Sequence, residues 1–267
     1  MNELQFPGLY IDDPANSHEI LPYLYRSGYY CLILTDSLAE VCTKYGRLHY
    51  DYCDGTFIGY RPDTVCMEIF HPDLFKGRIL EKTIEEYTFL SYALKEALHV
   101  SLKEKQILSS YVDDIRRELH YDTDSYKHTI LTRHIIRLLD YATHFYERQF
   151  IVRELNNERL IRQYEKLVRQ YIDEGKLTQE PLTSAYCAEQ LHLSEAYFND
   201  LLELQLGHKH NCHIQLQRIE IAKEKLRSSG EFLSQIVYEL GFPSVQYFSF
   251  IFKKITEITP KEYRWWN

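Results

Sequence analysis

The chain has 267 residues, of which 45% are hydrophobic and 26% are charged, and its formal net charge is −8 at pH 7. This composition is ordinary for a soluble globular protein, and the length suffices for two domains with a core each. The negative charge gives no independent indication of nucleic-acid binding, because contacts with phosphates require cationic side chains.

The sequence shows no pattern that would direct the chain into a membrane. Its first seven residues, Met-Asn-Glu-Leu-Gln-Phe-Pro, are not a signal peptide, and its apolar runs are shorter than the roughly 20 residues of a membrane helix. The six cysteines are scattered, with no Cys-x-x-Cys pair. This usage favours a reduced, cytoplasmic protein in which cysteines serve as small buried side chains.

The first 75 residues are rich in aromatic and β-forming side chains and predict several short strands. The candidate strands are Tyr29–Leu34, Leu48–Cys53, Thr56–Tyr60 and Val65–Phe70. Asp54-Gly55 lies between the second and third candidates and is typical of a two-residue hairpin turn. We therefore predict a small sandwich or barrel in this part of the chain.

From about residue 80 to 175 the apolar residues follow helical spacing. The candidate helices are Asp113–Leu119, Leu131–Ala142 and Leu160–Ile172. The polar segment Asp173–Pro181 contains Gly and Pro and indicates a domain boundary. We therefore predict an N-terminal domain over 1–153, β-rich to residue 75 and helical from residue 80, then a helical linker over 154–180 and a C-terminal domain over 181–267.

The C-terminal part repeats one helical phrase at a separation of 50 positions. Ser194–Leu202 and Ser244–Phe252 each open with a serine suited to N-capping and continue with apolar residues at i, i+3 and i+4. A shorter apolar segment and a brief turn precede each copy. Helix, turn and helix is the plan that places a second helix in the DNA major groove, so two copies predict a reader of two successive grooves.

A long helix over about His210–Arg227 joins the two copies, and Ser228-Ser-Gly230 ends it. Thr259-Pro260-Lys-Glu262 predicts a capping box at the start of a last helix. Residues 181–267 contain nine Lys and Arg against ten Asp and Glu. The predicted DNA-binding function therefore depends on the helical pattern, since the net charge of this region does not support it.

The C-terminal motifs form a long and ordered series. It runs through Gly207, Arg218, Ala222, Leu226, Ile236–Phe242, Tyr247-Phe248, Phe252–Lys254, Thr259-Pro260 and Tyr263-Arg264. The series resembles the AraC/XylS family of transcription regulators. Upstream, Phe70–Phe75, Glu96–His99 and Phe145–Phe150 look like the sensor halves of AraC-type regulators from Bacteroidetes.

The resemblance implies an α+β fold, with a small β-rich, cupin-like N-terminal part followed by helices and then an all-α double helix-turn-helix domain. It implies an N-terminal domain that senses an effector or dimerises, and two recognition helices that enter adjacent major grooves of promoter DNA. The implied partners are double-stranded promoter DNA, RNA polymerase, an unknown small-molecule effector and a second copy of the chain. It implies a regulator, either an activator or a repressor, with no cofactor.

Several positions depart from the family pattern. Asp200 and Phe250 stand in the middle of the recognition helices, where family members usually carry Arg or another polar donor. Glu195 and Glu203 add negative charge to the first helix, and phosphates repel carboxylates, although a carboxylate can accept from cytosine N4. The first unit is therefore predicted to be weakened for base reading. Three further departures are His192 and Glu257 at positions often held by Gly, and Val237 where Ala is favoured.

Six residues are the candidate DNA contacts. They are Asn199, Ser244, Gln246, Ser249, Lys253 and Lys254. The resemblance puts Gln246 and Ser249 at the family's base-reading positions, and Gln can pair with adenine N6 and N7. The two lysines suit phosphates. For each, the alternative is an exposed polar helix face without a ligand. Phe250 either touches a thymine methyl or packs on a partner protein.

The sequence offers little support for an enzyme or a metal protein. His208, His210, Cys212 and His213 carry zinc-binding atoms, but their spacing matches no ordinary structural site. The N-terminal histidines lack the His-x-His…Glu pattern of metal-binding cupins. Two hypotheses remain: a sequence-specific transcription regulator, and a regulator-derived interaction module that has lost direct DNA reading. A DNA-binding measurement discriminates between them.

Overall fold

The computed structural model describes residues 9–10, 30–35, 46–60, 69–70, 76–77, 79–121, 126–228 and 230–266. The chain divides into two compact units, Met1–Glu154 and Leu155–Asn267. None of the described helices is long and apolar enough to cross a membrane. The remaining positions, including most of the predicted strand Val65–Phe70, lie outside the described residues.

The first unit contains a five-stranded antiparallel sheet. Its strands are β1 (Leu9–Tyr10), β2 (Tyr30–Thr35), β3 (Gly55–Tyr60), β4 (Ile69–Phe70) and β5 (Leu98–Val100), in the order β1-β4-β2-β3-β5. β2 and β3 form the longest pair, from Cys31 opposite Tyr60 to Thr35 opposite Thr56. The described strands form one sheet, so the predicted small sandwich or barrel stays a prediction.

The predicted hairpin around Asp54-Gly55 is wrong. Residues 46–54 form turns and irregular backbone, and β3 pairs with β2 and β5. The Asp51 carboxylate explains the difference, because it accepts from the Leu48 N–H at 2.7 Å and forms a buried ion pair with Arg153. These interactions stabilise a turn where the sequence suggested a strand.

The described helices of the first unit come after β4 in the chain, and β5 lies between the first and the second of them. They are α1 (Ile79–Thr83), α2 (Leu102–His120) and α3 (Lys127–Val152), with 3-10 turns at Ile84–Glu86, Thr88–Ser91 and Leu94–Glu96. α2 begins at a capping box in which Ser101 and Glu104 exchange side-chain and backbone bonds. β5 lies within the stretch predicted as helical, and all three of its residues are buried.

Side chains of α3 hold this helix against β5. The Gln149 amide accepts from the His99 N–H at 2.8 Å and donates to the Ala97 carbonyl at 3.0 Å. The Arg148 guanidinium donates to the His99 carbonyl at 2.9 Å and to Glu104. The helix thus satisfies backbone groups of β5, which among the described strands pairs with β3 alone.

The second unit is all-helical over its described residues. Its helices are α4 (Glu154–Asp173), α5 (Ser184–Gln190), α6 (Glu195–Leu206), α7 (His210–Ser228), α8 (Leu233–Glu239), α9 (Val245–Thr256) and α10 (Pro260–Trp266). From Leu155 onward, the segment interpreted above as a linker belongs to this unit. Fully buried Tyr164 of α4 accounts for this, because its ring packs against Phe198 of α6 at 5.2 Å between centroids.

Candidate nucleic-acid interface

Two helix-turn-helix motifs are present, α5 with α6 and α8 with α9, and their turns have the same hydrogen bonds. The Leu193 N–H donates to the Ala188 carbonyl at 2.8 Å, and the Phe242 N–H donates to the Val237 carbonyl at 3.1 Å. Each turn contains a left-handed residue, His192 with φ 57° in the first and Gly241 with φ 69° in the second. The duplicated sequence phrase therefore folds into a duplicated motif.

The left-handed residue differs between the two turns for a steric reason. A Cβ atom on Gly241 would lie 2.8 Å from the Leu177 carbonyl oxygen, so the second turn requires glycine. His192 is exposed and adopts the same backbone region with a side chain. The second recognition helix also ends at a residue with a left-handed backbone and a side chain, Glu257 with φ 67°. The first recognition helix ends at Gly207 instead.

Each recognition helix begins at its predicted serine cap. The Tyr197 N–H donates to Ser194 Oγ at 3.3 Å, and the Tyr247 N–H donates to Ser244 Oγ at 3.1 Å. Ser244 therefore acts as a helix cap in addition to any contact with a ligand. The predicted capping box of the last helix is also present, with Thr259 and Glu262 bonded to each other's backbone N–H groups.

The apolar side of both recognition helices lies in the core, as the helical spacing predicted. These residues are Phe198, Leu201, Leu202, Phe248, Ile251 and Phe252. In α9 the Phe248 ring lies 5.0 Å from the Phe242 ring and 5.5 Å from the Phe252 ring, between centroids. This packing fixes the rotation of α9 and so determines which of its side chains point outward.

The outward face of α9 contains most of the predicted DNA contacts. Gln246, Phe250, Lys253 and Lys254 are exposed, and Ser249 is half-buried among them. Their spacing of three or four residues puts them on one side of the helix. No acidic residue occurs from Ser244 to Thr256. This face is therefore neutral at its start and positive at its end.

The outward face of α6 has the opposite charge. Glu195 and Glu203 are exposed, while Asn199 and Asp200 are half-buried, and the helix contains no Lys or Arg. Ser184 of α5 donates a hydrogen bond to the Glu195 carboxylate. Asn199 thus lies next to carboxylates on a helix that offers no cation to a phosphate.

Arg218 of α7 supports the second motif from inside. Its Nε atom donates to the Leu240 carbonyl at 2.7 Å, and its guanidinium lies 3.7 Å from the centre of the Phe242 ring. Burial lowers the pKa of Arg218 to about 10, so the side chain stays charged at neutral pH. These contacts support a structural role for Arg218.

The histidines near the start of α7 pack against α4. His210 Nδ1 lies 3.0 Å from the Tyr164 hydroxyl, and its Nε2 lies 2.9 Å from the Leu182 carbonyl oxygen. His213 is buried with its ring 4.9 Å from the Tyr164 ring and 5.3 Å from the His208 ring, between centroids. Within the described residues, no group of three or more His, Cys, Asp or Glu is arranged to hold a metal ion.

The C-terminal unit resembles known regulatory proteins. A family model described as a helix-turn-helix domain matches residues 187–265. The regulatory protein PocR of Salmonella typhimurium is 32% identical over 77 residues, which cover 29% of this chain and 25% of PocR. The xylose operon regulatory protein of Escherichia coli K12 is 37% identical over 60 residues, covering 22% of this chain and 15% of that protein. The chain thus spans a quarter or less of the length of these two relatives.

The same region resembles a solved structure. The C-terminal domain of the two-component response regulator yesN from Fusobacterium nucleatum is 31% identical, and the match covers 37% of this chain and 95% of that domain with a TM-score of 0.32. The two recognition helices lie inside the region that the family model matches.

Proposed function

We propose that the protein is a transcription regulator of the AraC/XylS type that reads promoter DNA mainly through α9, and the match of residues 187–265 to a helix-turn-helix family model supports this. It acts in the cytoplasm, and its ligand is double-stranded DNA. The observation that carries the proposal is the outward face of α9, which combines an amide, a hydroxyl and two lysines without a carboxylate.

The chemistry of this face fits the major groove. The Gln246 amide can donate to adenine N7 or accept from adenine N6, and Ser249 can pair with several base edges. Lys253 and Lys254 lie one to two turns further along, where they reach phosphates of the groove wall. A helix presented in this way uses its first turns for bases and its last turn for the backbone.

We assign a smaller role to α6. Its three carboxylates, Glu195, Asp200 and Glu203, are repelled by phosphates, and this repulsion is not offset by any cation on the same helix. Asn199 then contributes to base reading only where α9 has already positioned the domain. The interaction-module alternative is less favoured, because the face of α9 retains the groups that DNA reading needs.

For the first unit we propose a cupin-like sensor or dimerisation role for residues 1–153. Its support is the antiparallel sheet, against whose strand β5 α3 packs, together with the likeness to AraC-type sensor halves. A small-molecule effector or a second copy of the chain would alter how the DNA-binding unit meets the promoter or RNA polymerase. Nothing in this role requires a catalytic residue.

Salt dependence of DNA binding tests the proposal. Duplexes selected by the full chain from a random library are titrated by fluorescence anisotropy at several salt concentrations. The double variant K253A/K254A should bind more weakly, and the slope of log K against log[salt] should shrink by about 0.9 for each phosphate that is no longer neutralised. Lys166→Ala, which removes an exposed lysine of α4, should leave the slope unchanged.

Base reading is tested with Gln246→Ala on the same duplexes. Removal of this amide should lower discrimination at one base pair by about 1–3 kcal/mol while leaving non-specific affinity intact. The proposal fails if the full chain selects no DNA at low salt. It also fails if the lysine pair and Lys166 have equal effects on the slope.

A further inference from the structure

Phe250 is the most exposed large apolar side chain of α9 among its described residues, ahead of Tyr247, which is 41% exposed. The Phe250 side chain is 65% exposed, although the neighbouring phenylalanines Phe248 and Phe252 are fully buried. Within the described part of the chain, no ring contact joins Phe250 to another aromatic residue. The packing of α9 therefore leaves an apolar side chain exposed on the face that would contact a ligand.

The surroundings of Phe250 select the kind of partner. Gln246 lies one turn before it on the same face, and Lys253 and Lys254 lie one turn after it. A phenyl ring flanked by an amide and two cations, with no acidic residue in the helix, complements a polyanion rather than a cationic or purely apolar protein surface. The shape of the motif makes that polyanion duplex DNA.

Within the major groove, a phenyl ring can be matched by one apolar group. Of the four bases, only thymine presents an apolar group there, the C5-methyl group, and Phe is among the side chains that contact it. The ring offers no hydrogen bond to the other base edges. A guanine or cytosine edge opposite Phe250 would give up hydrogen bonds to water without replacing them.

We propose that Phe250 is a specificity-determining residue that recognises the C5-methyl group of a thymine, next to the base pair that Gln246 reads. This inference rests on the proposed function, since it requires α9 to enter the major groove. At this position of α9, contact with one methyl group would take the place of the hydrogen bonds that a polar side chain would form with a base.

The test removes the methyl group and nothing else. In a duplex selected by the full chain, each thymine is replaced in turn by deoxyuridine, which keeps the hydrogen-bonding edges. At one position among the base pairs that α9 contacts, this replacement should lower the affinity of the wild-type protein about fourfold. Such a change is expected when one methyl-sized apolar group is removed from a buried interface. 5-Methylcytosine or thymine at that position should bind better than its unmethylated counterpart.

The matching protein variant is Phe250→Ala, which should bring the thymine-to-uracil affinity ratio at that position to about one. Phe232→Ala is the control, because it removes a phenyl ring that is 79% exposed and lies outside α9. This control should retain the wild-type ratio even if its absolute affinity changes. Phe250 is exposed, so its truncation should not unfold the domain, and an unchanged urea midpoint verifies this.

The outcomes separate the inference from the function on which it rests. Tight, sequence-specific binding by the wild type with a ratio near one at every thymine overturns the role of Phe250 and leaves the DNA-binding proposal standing. If Phe250→Ala keeps the thymine-to-uracil affinity ratio of the wild type, the proposed role of Phe250 is overturned as well. Failure of the full chain to select any duplex contradicts the proposed function itself.

Discussion

Arg218 connects α7 to the turn that precedes the second recognition helix, α9. Its guanidinium is bonded to the Leu240 carbonyl, at the turn that precedes α9, and stacks on the Phe242 ring. The last carbonyl groups of a helix carry partial negative charge and lack a partner within the helix. A cation that donates a hydrogen bond to such a carbonyl therefore stabilises the helix end. Arg218 therefore helps to fix the start of α9 rather than contacting DNA.

Replacing Arg218 should destabilise the second unit. Arg218→Ala is expected to lower the free energy of unfolding by about 2–4 kcal/mol, since it removes both a charge-assisted hydrogen bond and a desolvated cation–π interaction. Arg218→Lys keeps the charge but not the planar stacking group, and should lower it by about half as much. Urea titrations followed by tryptophan fluorescence report on this unit, because both tryptophans, at 265 and 266, belong to it.

Arg162→Ala is the control for Arg218. It breaks an exposed pair with Glu158 on α4 and should change the unfolding free energy by less than about 0.5 kcal/mol. If Arg218→Ala unfolds like the wild type but binds DNA more weakly, then Arg218 contacts phosphate and the structural role is wrong.

At the scale of single elements, the sequence predicted the second unit well because its signals are local. Ser194 and Ser244 cap helices through bonds three residues away, and the buried residues of α6 and α9 follow helical spacing. The exposure of Gln246 and the lysine pair follows from the same periodicity. What these local rules could not give is the role of Tyr164, whose contacts with Phe198 and His210 lie far away in the sequence.

The errors in the first unit have the opposite cause. Asp54-Gly55 is a strong local turn signal, but Asp51 is paired with Arg153, which lies 102 positions away, and that ion pair shapes the loop. β5 was missed because three residues, all buried, show no alternation and lie in a stretch with helical spacing. Residues far apart in the sequence determine both the loop at Asp51 and the strand β5, and no local sequence pattern predicts such contacts.

Because His210 and His213 are buried where α7 packs against α4, we expect the stability of the second unit to depend on pH. His210 stands between a hydroxyl and a carbonyl, an arrangement that suits a neutral ring with Nε2 donating to Leu182 and Nδ1 accepting from Tyr164. Burial lowers the pKa of His210, although the Leu182 carbonyl and the charge of Glu195 oppose this. Burial also lowers the pKa of His213 to about 4, with smaller effects of His208 and His210.

The sign of the pH dependence follows from these shifts. In the folded unit the histidines bind protons less readily than in the unfolded chain, where the pKa is about 6.5. Their contribution to stability is therefore complete above about pH 6.5 and is lost as the pH falls toward 4. Between pH 7.5 and 5 the unfolding free energy seen by tryptophan fluorescence should fall by roughly 1–2 kcal/mol because of this cluster.

His213→Leu should remove much of this decrease, because it replaces a buried titrating ring by an apolar side chain. His192→Asn is the control, since it removes an exposed histidine while Asn tolerates the left-handed backbone at that turn. A wild-type stability that does not change between pH 7.5 and 5 would contradict the assignment. An equal effect of both substitutions would contradict it too.

At the scale of the whole molecule, the chain consists of two units with separate cores, and Arg153 lies at the end of the first. Its guanidinium is bonded to Asp51 at 3.0 and 2.6 Å and to the Gly46 carbonyl at 3.3 Å. The side chains of this pair are 5% and 0% exposed. Removing one member of such a pair leaves a buried charge without its counterion.

Asp51→Asn should therefore destabilise the first unit by about 3–5 kcal/mol. If the two units unfold independently, far-UV circular dichroism in urea will show an earlier loss of helix while the tryptophan transition keeps its midpoint. Arg116→Ala, which breaks an exposed pair with Asp113 in the same unit, should move neither transition. A common shift of both signals in Asp51→Asn would mean that the units unfold as one.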